Sequence, residues 1–334
     1  MAEIRLGVFL PTFCGVAGRS GKEIEIFART AESLGFDSLW ATDHLLHGSV
    51  FYQTPWLDPL VALSYAACAT TRARLGTSIL VMPTRQPVGL AKEIVTLQAL
   101  SEDRFILGAG TGWDEREFDA VGIRKSERGG RTDEVLEIVR RLVAGESVTF
   151  EGRYYKLHDV EVSPGTRTPL QVWVAGGQQL PHPKSPEPPV LSPTVLARIC
   201  KADGWIARPT ATPKQIRQDR DAILSSLPAL GGKPESLTIA HENFLHFVPT
   251  DDPKIARVEQ QRAFTDIMGQ GRPFEYFEQV YLTGTQDQVH SKIAERVASG
   301  VQYLMLHTLE PSTKQLELWA EHLMPWLKGT NGVA

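Results

Sequence analysis

Hydrophobic and polar positions along this chain follow two alternating patterns. Short runs that are apolar on both faces are separated by longer stretches in which apolar residues recur every three or four positions. The short runs fall at Ile4–Leu10, Ser38–Thr42, Leu75–Met82, Phe105–Gly110, Leu170–Ala175, Gly204–Ala207, Leu237–Val248 and Gln302–Leu309. Runs such as Leu6-Gly-Val-Phe-Leu10 and Gln302-Tyr-Leu-Met-Leu306 suit parallel strands covered by helices rather than half-exposed antiparallel ones. The helical pattern falls at Glu23–Leu34, Pro59–Ala69, Leu90–Leu100, Arg131–Ala144, Thr194–Ala202, Pro213–Ser226, Asp252–Met268 with Glu275–Gln279, and Asp287–Ser299. Gly35 stops the first of these, as a glycine at a helix end does. Strands that alternate with helices form βαβ units, and eight of them close. The predicted fold is α/β: a single (β/α)8 barrel of the TIM type, one domain over residues 1–334, with insertions after strands four, five and seven.

Two stretches break the alternation. Ser147–Leu157 reads as a small hairpin turning at Glu151-Gly152, ahead of the fifth strand. Gln178–Pro193 carries six prolines and cannot be a helix. It follows the fifth strand, so it is either a lid over the carboxyl-end face or an ordinary surface excursion. No internal repeat and no domain linker stands out.

Composition narrows the class. The chain has 334 residues, 42% hydrophobic and 22% charged, the profile of an ordinary soluble globular protein. A net charge of −4 gives no basic field for nucleic acid or an anionic membrane. No apolar run reaches the ~20 residues of a membrane span. Met1-Ala-Glu-Ile-Arg5 leads straight into a strand and does not read as a signal peptide. The three cysteines, Cys14, Cys68 and Cys200, lack CxxC spacing and read as reduced thiols of a cytoplasmic protein. The expected partner is a small molecule.

Candidate chemistry centres on Asp43 and His44, which follow the second apolar run in Leu39-Trp-Ala-Thr-Asp-His44. In a barrel the carboxyl ends of the strands carry the chemistry. A histidine there beside a carboxylate can hold and move a proton near neutral pH. The plainer alternative is that Asp43 caps the next segment and His44 packs on the rim. Gly108, Gly110 and Gly112 fit neither a Rossmann fingerprint, because Trp113 stands where its last glycine belongs, nor a Walker loop. They allow either backbone approach to a flat ring or phosphate, or tight turns, and Gly176-Gly177 repeats the choice at the fifth strand. His241 and His246 are five apart and share no face of a helix or strand, so no metal is expected there. Arg124, Lys125, Arg128 and Arg131 read as the solvated start of a helix, with binding of a cofactor phosphate as the other reading. Trp40, Trp56 and Trp205 are pocket or core.

Taken in order, Leu6-Gly-Val-Phe-Leu-Pro11, Trp40-Ala-Thr-Asp-His44, Leu75-Gly-Thr-Ser-Ile-Leu80, Gly108-Ala-Gly-Thr-Gly-Trp113, Trp173-Val-Ala-Gly-Gly177 and Ala202-Asp-Gly-Trp205 resemble the luciferase-like monooxygenase superfamily. That group holds flavin enzymes of the bacterial luciferase type and oxidoreductases that use an 8-hydroxy-5-deazaflavin coenzyme of the F-420 type. The agreement runs to about Trp205 and weakens beyond it.

The resemblance implies a ring cofactor at the carboxyl end of the barrel, supported by a bulge with a non-prolyl cis peptide at Ser78-Ile79. It implies cofactor contacts at Asp43, Ser78, Ile79, Thr111, Gly112, Gly176 and Gly177. His44 is then the acid–base group, with Asp43 touching the ring system or orienting the imidazole. The Thr42-Asp43-His44 ending tilts toward the deazaflavin branch, with FMN and oxygen insertion as the alternative. Sugar-phosphate dehydrogenases of that branch carry an acidic residue where Trp113 stands. The substrate is therefore expected to be something else, bulky and partly apolar, walled by Trp56 and Trp113 and neighboured by Phe51 and Tyr52. Acid–base work falls to His44 alone or to His44 with Asp114, Glu115 or Glu117. The resemblance also implies a homodimer and a separate reductase supplying reduced cofactor. A reading of another class, a non-catalytic flavin-binding protein, stays open. Loops Gly48–Trp56, Gln178–Pro193 and Gly269–Phe277 are expected to set the substrate.

Overall fold

In a computed structural model, which describes residues 4–13, 20–47, 52, 54–181 and 190–329, eight parallel positions close into a barrel. The strands are β1 (Arg5–Phe9), β2 (Ser38–Ala41), β3 (Arg74–Thr77), β4 (Leu80–Val81), β5 (Phe105–Gly110), β8 (Gln171–Gly176), β9 (Gly204–Ala207), β10 (Thr238–Phe244) and β11 (Tyr303–His307), with β6 (Val148–Glu151) and β7 (Lys156–Val160) outside the barrel. β1 lies between β2 and β11, the order continues through β10, β9, β8 and β5, and β5 pairs with both β3 and β4 to close the ring. The third barrel position is thus one strand in two pieces. The uninterrupted run expected at Leu75–Met82 is broken at Ser78-Ile79, where the peptide bond is cis.

Helices cover the outside. They are α1 (Gly21–Leu34), α2 (Pro59–Ala69), α3 (Pro87–Leu100), α4 (Glu115–Ala120), α5 (Arg128–Val143), α6 (Pro193–Ile199), α7 (Pro213–Ser226), α8 (Pro253–Met268), α9 (Phe274–Val280), α10 (Gln286–Ala298), α11 (Lys314–Leu318) and α12 (Met324–Gly329). α1 shows why these segments are helical. Ser20 and Glu23 form a reciprocal capping box, Ile24, Phe27, Ala28 and Ala31 fall on one buried face, and Gly35 ends the helix at φ 95°. Two elements departed from the pattern reading. The short α4 was not anticipated, and the last helical layer, α11 and α12 joined by a π-helical turn at Trp319–Leu323, lies beyond the helices expected.

The hairpin is present, but its strands pair Phe150 with Leu157 and Glu151 with Lys156. The chain therefore turns through residues 152–155, later than Glu151-Gly152, and the turn is closed by Gly152 N–H to the Tyr155 carbonyl at 2.9 Å. Phe9, Trp40, Ile106, Trp173, Ile206, Ala240, Tyr303 and Met305 fill the inside of the barrel. Trp40 is core, packed on Trp173 with centroids 5.3 Å apart, and Trp205 is core as well, 1% exposed. No helix among the described residues is long and apolar enough to cross a membrane.

Candidate active site

Thr42, Asp43 and His44 leave the carboxyl end of β2, where the closed barrel opens. The backbone turns there, and the two side chains part. Asp43 goes inward, 6% exposed, and its Oδ2 accepts from the Val81 N–H at 2.9 Å while Oδ1 accepts from Arg85 Nη2 at 2.8 Å. Burial pushes the Asp43 carboxyl up, against the pull of Arg85. Arg85 also reaches Asp58 at 3.1 Å. Asp43 is therefore a clamp on the segment after the cis bond.

The imidazole finds another carboxylate. His44 Nδ1 lies 3.2 Å from Oε1 of Glu117, on α4, and the same oxygen accepts the N–H groups of Leu45 at 2.9 Å and Leu46 at 3.3 Å. One buried oxygen thus fixes the loop after β2 and the ring it carries. With Nδ1 donating to Glu117, Nε2 is the nitrogen left to give or take a proton. Around it stand Tyr52, Trp56 and Trp113, with centroids 5.4, 5.9 and 5.7 Å from the imidazole. Burial pushes the Tyr52 phenol well up, so it stays protonated. Phe51 lies outside the described residues, as do most of Gly48–Trp56 and residues 182–189 of the proline-rich stretch.

Of the acidic residues Asp114, Glu115 and Glu117, it is Glu117 that hydrogen-bonds His44. Asp114 caps α4, accepting from the Arg116 N–H at 3.1 Å and its guanidinium at 2.7 Å, and the Arg116 hydrogen bonds hold its carboxyl down. Glu115 points to solvent and pairs with Lys125 at 3.6 Å.

Ser78 and Ile79 form the bend between β3 and β4, and Ser78 donates to Oε2 of Glu242 at 2.6 Å. A Cβ on Gly108 would lie 1.8 Å from the Thr77 carbonyl oxygen, and one on Gly110 would meet the Ile79 side chain at 2.7 Å. The space those glycines leave is therefore filled by the bend itself. Thr111 follows β5 and reaches only the Gly112 carbonyl, at 3.5 Å. Gly176 ends β8, accepting from Trp205 Nε1 at 3.0 Å. Gly177 has φ 106°, and its missing Cβ leaves room for Asp219, which holds Gln178. These two stand at the fifth barrel position, away from the His44 cluster. The basic residues after β5 are engaged locally: Arg124 and Arg131 bracket Glu127, and Arg131 lies over the Tyr154 ring at 4.7 Å.

Sequence reasoning passed over Glu242 and His307, which meet at 2.9 Å between the ends of β10 and β11. The signal was present. His307 ends an apolar strand just as His44 follows one, and Glu242 is a carboxylate inside a buried strand.

A ring cofactor needs donors for its polar edge and apolar walls for its faces. Thr42 Oγ1, Trp56 Nε1 and Arg208 Nε are buried and have no hydrogen-bond partner among the described residues. All three sit at or just past carboxyl ends of strands or beside His44, and buried donors left unpaired call for a ligand. With the aromatic walls around His44, the residues present fit a planar, hydrogen-bonding ring.

The sequence model described as luciferase-like monooxygenase matches residues 4–303. The chain belongs to the luciferase-like monooxygenase family. Within it, the chain is similar to the F420-dependent glucose-6-phosphate dehydrogenase of Kineococcus radiotolerans, 38% identical over 162 residues, 45% of each chain. That alignment spans less than half the length of the relative. A second relative so named, from Microbacterium testaceum, is 28% identical over 337 residues, 92% of this chain and 93% of its own. Among solved structures, an F420-dependent secondary alcohol dehydrogenase in complex with an F420-acetone adduct superposes with a TM-score of 0.80 over 97% of this chain and 99% of the other, at 16% identity. At that identity the likeness shows the shared barrel.

Proposed function

We propose that this protein is an oxidoreductase that moves a hydride between a deazaflavin coenzyme of the F420 type and a small organic substrate. The observation that carries the reading is His44: an imidazole at the carboxyl end of the barrel with only 8% of its side chain exposed, fixed through Nδ1 by Glu117, with Nε2 left for a proton. When bound, the reduced deazaflavin supplies a hydride, and having carbon where a flavin has its reactive nitrogen it does not readily activate oxygen. The protein's part is to position and to move a proton. His44 Nε2 gives a proton to the substrate oxygen as a carbonyl carbon is reduced, and takes one from a hydroxyl in the reverse direction. Thr42 and Trp56, beside His44, and Arg208, past the end of β9, are buried unpaired donors that would hold polar groups of the ring, and Asp43 keeps the bend after Ser78 in place.

On the family resemblance Trp113 stands where the sugar-phosphate dehydrogenases carry an acidic residue, and here Glu117, four residues on, brings a carboxylate to His44. With Tyr52 and Trp56 the wall beside His44 is aromatic. This supports a bulky, partly apolar alcohol or carbonyl compound over a sugar phosphate. A homodimer and a separate reductase are finer expectations of the same reading. The family's description as monooxygenases favours one alternative, reduced FMN with oxygen insertion. Titration of the apoprotein with each cofactor, followed by quenching of Trp fluorescence, separates them. Deazaflavin binding tighter than FMN is the expected result; FMN binding alone, with oxygen-dependent turnover, reverses the choice.

A further inference from the structure

One carboxylate joins three strands just below the mouth. Glu242 shares the inward face of β10 with Ala240 and Phe244, as the two-residue period of a strand dictates. Its Oε2 accepts from the Ser78 hydroxyl at 2.6 Å, and its Oε1 lies 2.9 Å from Nε2 of His307. His307 is held between the rings of Phe9 and Phe244, with centroids at 3.4 and 4.2 Å and planes within 13° of parallel. That slot fixes the plane of the imidazole, and burial lowers its basicity. A neutral imidazole facing a carboxylate carries its proton on the facing nitrogen, so His307 donates to Oε1. Both oxygens of Glu242 are thereby directed, one at each donor.

Ser78 is the residue immediately before the bend, and Val81 lies just after it. Glu242 from the seventh barrel position takes the Ser78 hydroxyl; Asp43 from the second takes the Val81 N–H. The bend is bracketed by two buried carboxylates on opposite sides. Asp43 has Arg85 beside it, whereas Glu242 is tied to the stacked His307 and so to the eighth position.

We propose that Glu242 is a positioning residue for the cofactor: through Ser78 it sets where the 78–81 bend stands relative to His44. This rests on the reading of the site as a ring-cofactor site. A carboxylate that served packing alone would change stability and leave cofactor affinity where it was. One that positions the bend changes affinity through Ser78 specifically.

The test is a double-mutant cycle on the full-length apoprotein with wild type, Glu242→Gln, Ser78→Ala and the double variant. Each is titrated with oxidised deazaflavin coenzyme by Trp fluorescence quenching, and each is unfolded in urea. Ser78→Ala removes one oxygen and keeps the backbone, so it reports even where Glu242→Gln folds poorly. Each single variant is expected to weaken the Kd by about tenfold: Ser78→Ala removes the hydrogen bond, and Glu242→Gln removes the charge that strengthens it and leaves one acceptor oxygen for the two donors Ser78 and His307. The double variant is expected to weaken it by about the same factor, because the two residues act through one bond. Unchanged Kd in Ser78→Ala, or losses that multiply to about a hundredfold in the double, overturns the proposal. A wild-type protein that binds neither deazaflavin nor FMN overturns the functional reading and this inference together, an outcome distinct from unchanged affinity in the variants.

Discussion

At the scale of single residues, two carboxylates, Asp43 and Glu117, have divided the work. Asp43 adjoins His44 in the chain, but it turns inward to Val81 and Arg85; Glu117, far off in sequence, holds the imidazole. Neighbours in sequence were legible as a pair, whereas the contact that fixes His44 depends on where α4 packs. The two residues should therefore fail differently. Asp43→Ala leaves the Arg85 guanidinium without one partner and the Val81 N–H without its acceptor, and should cost about 3 kcal/mol in urea unfolding. Glu117→Gln keeps an oxygen for the Leu45 and Leu46 N–H groups while removing the charge beside His44. It should lower kcat by about tenfold or more with a nearly unchanged unfolding midpoint. A Glu117→Gln enzyme of full activity would return His44 to a histidine acting alone.

At the scale of elements, the third barrel position separates what the pattern reveals from what it hides. Leu75–Met82 reads as one apolar strand because burial on both faces erases any mark of the interruption at Ser78. The bend leaves its mark on the neighbouring strand instead, in Gly108 and Gly110, whose missing side chains make room for Thr77 and Ile79. The eight strand positions and most helices were legible since each carries its own period and its own stop signal, such as Ser20 and Gly35 around α1. α4 is too short to show a period, and the chain after β11 gave no clear second face. Gly108→Ala should destabilise the protein by about 2–3 kcal/mol, because the new methyl meets backbone that a packed barrel cannot easily move. Urea unfolding of that variant reads the effect, and a loss under about 0.5 kcal/mol would mean that the bend yields easily.

At the scale of the whole molecule, the barrel hides histidines that resist protonation. Burial holds the imidazoles of His241 and His307 below their ordinary value of 6.5, His241 well below it. In the unfolded chain both take up a proton as the pH falls through about 6.5, while in the folded protein burial opposes that uptake, most strongly at His241. The unfolded state then binds more protons, so stability is fully present above that pH and falls on acidification, by about 1.4 kcal/mol per group per pH unit. Urea unfolding at about pH 5.5 should give a free energy roughly 1–2 kcal/mol below that at about pH 7, with most of the difference from His241. A flat profile would mean that these rings find water or partners when charged. At the mouth of the barrel, the proposed role of His44 is to move the proton that accompanies hydride transfer. It is tested most directly by single-turnover absorbance measurements without oxygen, mixing protein and reduced deazaflavin with a panel of bulky ketones and aldehydes, for wild type and His44→Ala. Oxidation of the coenzyme by at least one member of the panel is expected in the wild type, slowed by ~10²–10⁴ in His44→Ala. Equal rates in the two proteins, or turnover that appears only with reduced FMN and oxygen, would contradict it.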